Sequence, residues 1–354
     1  MKSFESFQSQ VIIRNRFPDD KLDVENHVLL FDENLLNLET DEFSPKKFIK
    51  SFPHRLGVKG GESLKSFKDF PKNLEALLKK WPEPVGRSQT LVVLGGGTLG
   101  DYGGFVASIL KRGVNLIQIP STWLAAMDSA HGGKNALNLE GVKNQIGTFY
   151  PASKVFVIKD LLESAPLELK EQSYGELIKM GLVGESKFFK EIMVEKRPAQ
   201  DFVWRFLKFC IEDKYAVILQ DPFETKKIRQ VLNFGHTFGH ALESHFTWPH
   251  GDSVLQGTFF ALEWSRHRGD LSQALYEQIL DVISQKFERV PAHQLKWYKK
   301  PSSKTIKKLL MADKKMDKEG KILFVFLKSI GRPFLKPVLV DDLILEAKRQ
   351  NWLK

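Results

Sequence analysis

Between residues 27 and 160 the apolar positions fall in short runs broken by glycine- and proline-containing turns. Residues 90–94 (TLVVL) form one such run, which ends in GGGTLGD. The next segment, DYGGFVASILKRG, spaces its apolar residues at helical intervals before VNLIQIP returns to strand character. HVLLFDENLL and the segment leading to Glu62 read as further strand-to-turn junctions, and VFVIKD (155–160) as one more strand. Strands alternating with helices predict a parallel sheet covered on both faces. Beyond 160 the texture changes. Stretches 168–196, 199–220, 226–246, 252–268 and 270–289 carry helical periodicity, and KILFVFLKSIG at 321–331 reads as a hairpin. The pattern therefore predicts an α/β domain over 1–160 and a mainly helical domain over 161–354, with no repeat or low-complexity tract.

A length of 354 residues with 42% apolar content suits two packed domains. One cysteine, Cys210, excludes a disulfide framework and a multi-thiolate zinc site, and the cytoplasm is the expected compartment. The N-terminus lacks the apolar segment of a signal peptide, and no run approaches the roughly 20 apolar residues of a membrane span. The net charge of +10 is regional, since segments 46–80 and 296–321 each hold ten basic and three acidic residues. Trp297 and Tyr298 beside Lys296, Lys299 and Lys300 have the composition of a single-strand nucleic-acid site. Lys304, Lys307 and Lys308, however, fall around Ile306, Leu309 and Leu310 as on the wet face of an amphipathic helix. Neither nucleic acid nor membrane is the expected partner, which leaves small anions.

Three constellations could carry chemistry. Gly95, Gly97 and Gly100 satisfy G-x-G-x-x-G directly after a strand and before a helix, where bare backbone and a helix N-terminus accept a pyrophosphate. No acid lies about 20 positions on to take the ribose hydroxyls, because Asp101 follows at once and Asp128 comes 28 after Gly100, so a purely structural turn stays open. Second, Asp128, Lys134, Lys143 and Asn144 stand among glycines 132, 133, 141 and 147, as in a loop shaped to approach an anionic ligand closely, or in an ordinary surface loop. Third, HTFGH sets His236 and His240 at i and i+4 on one helix face, with His245 and His250 following. Two imidazoles on one face can share a divalent metal, and Thr237 in place of a glutamate excludes the zinc-protease motif. Glu176 is a plausible carboxylate partner, with Lys179 one turn later. Arg229 and Asn233 extend the stripe upstream on what the periodicity predicts to be one continuous helix. The alternative is that this face simply meets water.

Taken together, GGGTLGDYGGF, KRGVNLIQIPST, DSAHGGKNALNLEGVKNQIGTFYP, GELIKMGL, RQVLNFGHTFGHALE, HGDSVLQG and DKKMDKEGKILFVFLKSIG resemble the 3-dehydroquinate synthase family of the sugar phosphate cyclase group, over about residues 90 to 331. The resemblance implies a Rossmann-like N-terminal domain, a helical C-terminal domain, an active site in the cleft between them and a homodimer. It implies a divalent metal, zinc foremost and cobalt as an alternative, held by Glu176, His236 and His250, which moves His240 from the metal to the substrate. NAD contacts would fall on Asp32, Asn34, Glu62, Lys65, Gly95, Gly96, Gly97, Asp101, Ser121, Thr122, Lys143 and Ser164. Asp128, Lys134, Lys179, Lys214, Arg229, Asn233 and His240 would serve the chemistry, and Asn144 with Lys314 or Lys315 would hold substrate. Arg112 would reach the phosphate bound by the neighbouring subunit.

The implied substrate is a seven-carbon sugar-acid phosphate, a small molecule with two anionic groups, a carboxylate and a phosphate. It would be oxidised transiently by NAD, lose phosphate, be reduced again, open and close by an intramolecular aldol reaction. Sister cyclases acting on sedoheptulose 7-phosphate or glucose 6-phosphate, and metal-dependent polyol dehydrogenases, are the alternatives. The chain departs from the family's usual threonine, leucine and Ser-Val at Trp123 and at Ala130-His131, and from a usual glycine at Lys227. His131 is expected at the surface.

Overall fold

The computed structural model describes residues 7–17, 22–38, 44–82, 86, 89–184, 189, 191–192, 199–287, 300–311 and 319–354. The chain divides into two compact units, Met1–Lys170 and Glu171–Lys354. The division falls beyond 160 because Leu161 is buried in the same apolar cluster as the strands of the first unit.

The first unit is built on six parallel strands. They are β1 (Gln10–Arg14), β2 (His27–Asp32), β3 (Arg55–Val58), β4 (Thr90–Gly95), β5 (Asn115–Pro120) and, after a separate hairpin of β6 (Lys134–Leu139) and β7 (Val142–Phe149), β8 (Lys154–Ile158). The sheet order is β1-β8-β5-β4-β2-β3. β4 is buried along its whole length, which is why its sequence is apolar at every position instead of alternating. One face packs Leu29, Phe31, Val92, Leu94, Ile117, Ile119, Phe156 and Ile158 into a single cluster, each pair two residues apart as the pleat requires. The other face carries the helix Gly97–Ile109, whose Gly103 lies so close that a Cβ there would stand 2.4 Å from Val93 Cγ2. From β2 the chain steps outward to β3, then returns to the other side of β2 and continues through β4, β5 and β8. The order reverses between β2 and β4, and the C-terminal ends at such a switch point form the crevice where open α/β sheets bind ligands. Asp32 closes β2 and Gly95 closes β4 at that edge.

Residues 121–151 are not the open loop their polar, glycine-rich composition suggested. They form a π-turn at Ala125–Ser129 followed by the β6–β7 hairpin, which packs on the Gly97–Ile109 helix. A Cβ on Gly104 would stand 1.9 Å from Asn135 Oδ1, so the polar hairpin is seated on the helix through a glycine. Alternation along β6 hides Asn135 and Leu137 and leaves Lys134 exposed, while β7 leaves the consecutive Lys143 and Asn144 both exposed.

The second unit is helical, with a hairpin of β9 (Lys321–Leu327) and β10 (Pro333–Leu339). All ten residues of the helix Tyr174–Val183 are buried. Around it lie the helices Ala199–Ile218, His236–Phe246 and His250–His267, with Ser303–Met311 packed on His236–Phe246. In Ser303–Met311, Ile306 and Leu310 are buried while Lys304 and Lys308 are exposed, in keeping with a solvated basic face. Trp297 and Tyr298 lie outside the described residues. No described helix is long and apolar enough to cross a membrane.

The helix expected over 226–246 is broken. Residues Ile228–Asn233 wind as a 3-10 turn, and a new helix starts at His236 after Gly235, which has φ +78°. A Cβ at Gly235 would lie 2.5 Å from Thr258 Oγ1, so packing against His250–His267 forces the break that periodicity alone did not register. Arg229 and Asn233 therefore do not continue the histidine stripe. Lys227, the departure from glycine, caps this turn in the left-handed region at φ +64°. That conformation costs an L-residue roughly 1–2 kcal/mol, while glycine adds about 0.4–1 kcal/mol of unfolded-chain entropy. Lys227→Gly is accordingly expected to leave stability unchanged or raise it by up to about 1.5 kcal/mol, read from the midpoint of urea unfolding. A clear fall in the midpoint would show that the lysine side chain supports the turn.

Candidate active site

Glu176 has no exposed surface, and its carboxylate faces two imidazoles. Its Oε1 lies 3.2 Å from His236 Nε2 and 3.5 Å from His250 Nε2, and Oε2 pairs with Lys179 Nζ. Neither oxygen receives a hydrogen bond of proper geometry. The His236 Nδ1 sits 3.2 Å from the Phe234 carbonyl, and the His250 Nδ1 2.9 Å from Glu243 Oε2. Both partners only accept, so each Nδ1 carries a proton, and wherever the ring is neutral its Nε2 turns a lone pair toward the Glu176 carboxylate. Lone pairs facing an anion repel unless a cation stands among them. Donors at a tetrahedral zinc, given its bond lengths, lie about 3.3–3.5 Å apart, which matches the distances at Glu176. The residues therefore fit a divalent metal.

His240 joins the cluster. Its ring centroid is 5.1 Å from that of His236 and 5.7 Å from that of His250, and the ligand atoms of the three imidazoles lie within 4.8 Å of one another. Electrostatics divide the group. Burial would raise the Glu176 pKa, but Lys179 and His236 hold it well below the ordinary carboxylate range. Burial, with Lys179 nearby, lowers that of His236. For His250 burial acts downward too, but hydrogen bonds to Glu176 and Glu243 outweigh it and push the value up to about 10. The same two acids would favour a metal ion.

The local sequence explains how four helical residues meet. Gly175 and Gly251 each precede or follow a site residue, and a Cβ on Gly175 would stand 2.0 Å from the Gly251 carbonyl oxygen. A Cβ on Gly251 would stand 1.5 Å from the Gln172 carbonyl oxygen. Only bare backbone lets Tyr174–Val183 and His250–His267 approach closely enough to bring Glu176 to His250. The 3-10 turn at Ile228–Asn233 packs against both Tyr174–Val183 and Ala199–Ile218. It carries Asn233 and the buried Arg229, whose Nη1 donates to the Pro222 carbonyl at 3.1 Å. Lys214 is buried on Ala199–Ile218. Lys314 and Lys315 lie outside the described residues.

In the first unit several of the predicted dinucleotide residues lie at the switch-point edge. Asp32 caps the turn after β2 by accepting from the Asn34 N–H at 3.0 Å. Gly95, Gly96 and Gly97 join β4 to its helix; a Cβ on Gly95 would stand 2.4 Å from Leu99, and one on Gly97 2.7 Å from Ser129 Oγ. The Ser121 N–H donates to the Gly95 carbonyl at 2.9 Å, and the Thr122 hydroxyl accepts from the Ala125 N–H at 3.3 Å. Lys65, 3% exposed, donates to Asp101 Oδ2 and Asn144 Oδ1, each at 2.6 Å. Burial raises the Asp101 pKa and Lys65 opposes it. Glu62 accepts from Asn138 Nδ2 at 2.7 Å, and Asn138 Oδ1 in turn accepts from the Asn144 N–H at 2.8 Å. Ser164 stands apart, its hydroxyl donating to the Leu161 carbonyl at 2.7 Å. Arg112 is exposed on a turn with φ +65°, beyond the far end of a helix that runs about 18 Å from Gly97.

His131 is not at the surface. It is 2% exposed, and its Nε2 lies 2.9 Å from the Ala126 carbonyl. Glu243 and Asn138 had no role in the sequence reading. The signal for Glu243 was present, because His236, His240 and Glu243 repeat at helical spacing on one face; Asn138 offered none.

Solved structures share this architecture. A 2-deoxy-scyllo-inosose synthase complexed with carbaglucose-6-phosphate, NAD+ and Co2+ superposes at TM-score 0.77, with 23% identity over 96% of both chains. The 2-epi-5-epi-valiolone synthase from Streptomyces hygroscopicus subsp. jinggangensis, with NAD+ and Zn2+ bound, superposes at 0.78, with 19% identity over 99% of both. The fold is thus that of the sugar phosphate cyclases. The family models for the N-terminal and C-terminal parts of 3-dehydroquinate synthase match residues 55–172 and 173–316. Relatives named 3-dehydroquinate synthase include that of Zymomonas mobilis, 33% identical over 89% of this chain and 84% of its own. That of Staphylococcus carnosus is 34% identical over 86% and 84%, and that of Alkaliphilus metalliredigens 35% identical over 64% of each. The chain belongs to the 3-dehydroquinate synthase family.

Two substitutions test the geometry. Glu243→Gln removes the charge that orients His250 and is expected to weaken zinc binding by about 10–100-fold, measured by chelator competition, with the fold intact by circular dichroism. Lys65→Met strands the Asp101 carboxylate, which is 22% exposed, so the loss in urea unfolding should be about 2–3 kcal/mol, somewhat less than the roughly 3–5 kcal/mol of breaking a fully buried pair. Adding Asp101→Asn should restore part of it; an additive double variant would mean the pair is not coupled.

Proposed function

We propose that the chain carries out the family's reaction, converting 3-deoxy-arabino-heptulosonate 7-phosphate into 3-dehydroquinate and phosphate, as an NAD- and divalent-metal-dependent carbon–oxygen lyase. The observation that carries this reading is the meeting of Glu176, His236 and His250 in a chain matched by both halves of the family. NAD, when bound, supplies reversible hydride exchange at the C5 carbinol, which makes the neighbouring C6 proton acidic enough for phosphate to leave. A divalent metal, zinc foremost, supplies Lewis acidity toward the vicinal oxygens of the sugar.

The residues divide the remaining work. Asp32 and the backbone of Gly95, Gly96 and Gly97 would receive the dinucleotide, the helix N-terminus offering its free N–H groups to the pyrophosphate. Glu62, Lys65, Asp101, Ser121, Thr122, Lys143 and Ser164 complete that set in this reading. Glu176 holds its negative charge against burial because Lys179 pairs with it, and Glu243 keeps the His250 proton on Nδ1 so that Nε2 stays a donor of electrons. Lys134, Lys179, Lys214 and Arg229 meet the carboxylate and phosphate, with Asn144, Lys314 and Lys315 as further substrate contacts. Asp128 and His240 hold hydroxyl groups and can exchange protons at the sugar, and the Asn233 amide holds a hydroxyl group by hydrogen bonds alone. Held folded, the opened chain closes on itself with little further help. The exposed Arg112 suits a homodimer in which it reaches the partner's substrate, and the buried Cys210 suits the reducing cytoplasm.

The test is phosphate release from the seven-carbon acid phosphate with and without NAD+ and chelator. Release that needs catalytic NAD+ and metal and yields no net NADH is expected, and stoichiometric NADH would point to a dehydrogenase instead. Sedoheptulose 7-phosphate and glucose 6-phosphate, run alongside, separate the sister cyclases. Glu176→Gln and His250→Ala should lose metal and at least about a thousandfold in kcat, whereas His240→Ala should keep its metal. A metal-free His240→Ala protein would reverse the assignment of the ligands.

A further inference from the structure

Trp123 and His131 bracket Asp128 in sequence, and both are buried. Trp123 has no exposed surface, and the Lys170 ammonium lies 4.7 Å from its ring centroid. That ammonium is itself held by Glu163 at 3.0 Å. Between Trp123 and His131 the chain makes the π-turn Ala125–Ser129, which carries Asp128. The turn opens with the Ala126 N–H donating to the Thr122 carbonyl at 2.9 Å and closes with the Ala130 N–H donating to the Ala125 carbonyl at 3.0 Å, five residues back.

In that register the next carbonyl, Ala126 O, should accept from the backbone N–H of His131. The His131 N–H instead donates to the Asp128 carbonyl at 3.1 Å. Ala126 is fully buried, so a carbonyl left over there would be costly. The His131 ring supplies the missing bond, with Nε2 at 2.9 Å from Ala126 O. A carbonyl only accepts, so Nε2 carries the proton. The residue thus returns from its side chain the hydrogen bond that its main chain diverts to Asp128.

We infer that His131 is a positioning residue for Asp128: its ring N–H locks the end of the π-turn, and so fixes the backbone from which the Asp128 carboxylate projects. Trp123, clamped under Lys170, anchors the start of the same turn. The consequence for turnover rests on the dehydroquinate synthase reading; the lock itself does not.

The experiment compares the full-length wild type with His131→Leu, which fills the space without a donor, and with His131→Gln, which returns an N–H at a similar reach. Hydrogen exchange over residues 124–133 should speed up by about tenfold or more in His131→Leu and stay near wild type in His131→Gln. With saturating NAD+ and metal, His131→Leu should lower kcat by about tenfold with KM for the acid phosphate changed less than about twofold, and His131→Gln should recover most of it. Wild-type exchange in His131→Leu, or exchange in His131→Gln as fast as in His131→Leu, overturns the lock. Faster exchange with unchanged kcat overturns the positioning role. If His131→Leu does not fold, His131→Gln against wild type decides by the same exchange criterion. A wild type that releases no phosphate retires the activity reading and leaves the exchange result to judge the lock.

Discussion

A carboxylate with no water around it dictates the architecture of the second unit. Taking the Glu176 charge out of solvent costs several kcal/mol unless cations meet it. Lys179 comes from the same helix one turn on, but the imidazoles of His236 and His250 must be brought from two other helices. Their approach is possible because Gly175 and Gly251 remove the atoms that would keep the backbones apart, and because Gly235 breaks the chain at the right point for His236 to begin a new helix. Packing, electrostatics and metal chemistry are therefore one problem with one solution. The helices close because the charge is met, and the charge is met because the helices close.

The first unit solves a different problem with the same economy. The edge proposed to receive the dinucleotide is made mostly of backbone, from the glycines after β4 and the turn capped by Asp32 after β2, on the two strands where the sheet order reverses. The polar side chains around it are tied to each other across distant stretches. Lys65 joins Asp101 to Asn144, and Asn138 joins Glu62 to the Asn144 backbone. Segments 36 and 79 residues from Lys65 are thereby fixed in one net before any ligand arrives, which lowers the entropy that binding must overcome.

Parts of this were legible from residue order because they depend on local physics. An apolar run ending in glycines is a buried strand turning into a helix, and β4 with its helix follows that pattern, the helix starting at Gly97, four residues before the segment whose spacing announced it. The imidazoles of His236 and His240 share a helix face, and their rings meet at 5.1 Å. Other features escaped because their cause is non-local. The break before His236 is imposed by Thr258 and Val254 on a neighbouring helix, and helical periodicity runs through it undisturbed. The hairpin from 134 to 149 looked like a loop because its hydrophobic alternation is weak and one strand is exposed along most of its length. His131 sits in a polar, glycine-rich stretch, and nothing in that composition announces that its ring replaces a backbone donor inside a π-turn.

Sequence by itself determined the kind of elements, the change from α/β to helical texture near 160, and the residue types that metal and dinucleotide chemistry need. Each of these follows from spacing along a chain, which periodicity records. Only the tertiary structure decided which donors face one another: that Glu176 stands between two imidazoles, that Glu243 orients His250, that Lys65 bridges Asp101 and Asn144, and that His131 points inward. Those are contacts across up to about 80 residues of sequence, set by how closely helices and strands pack, and packing distance is a property that no one-dimensional pattern carries.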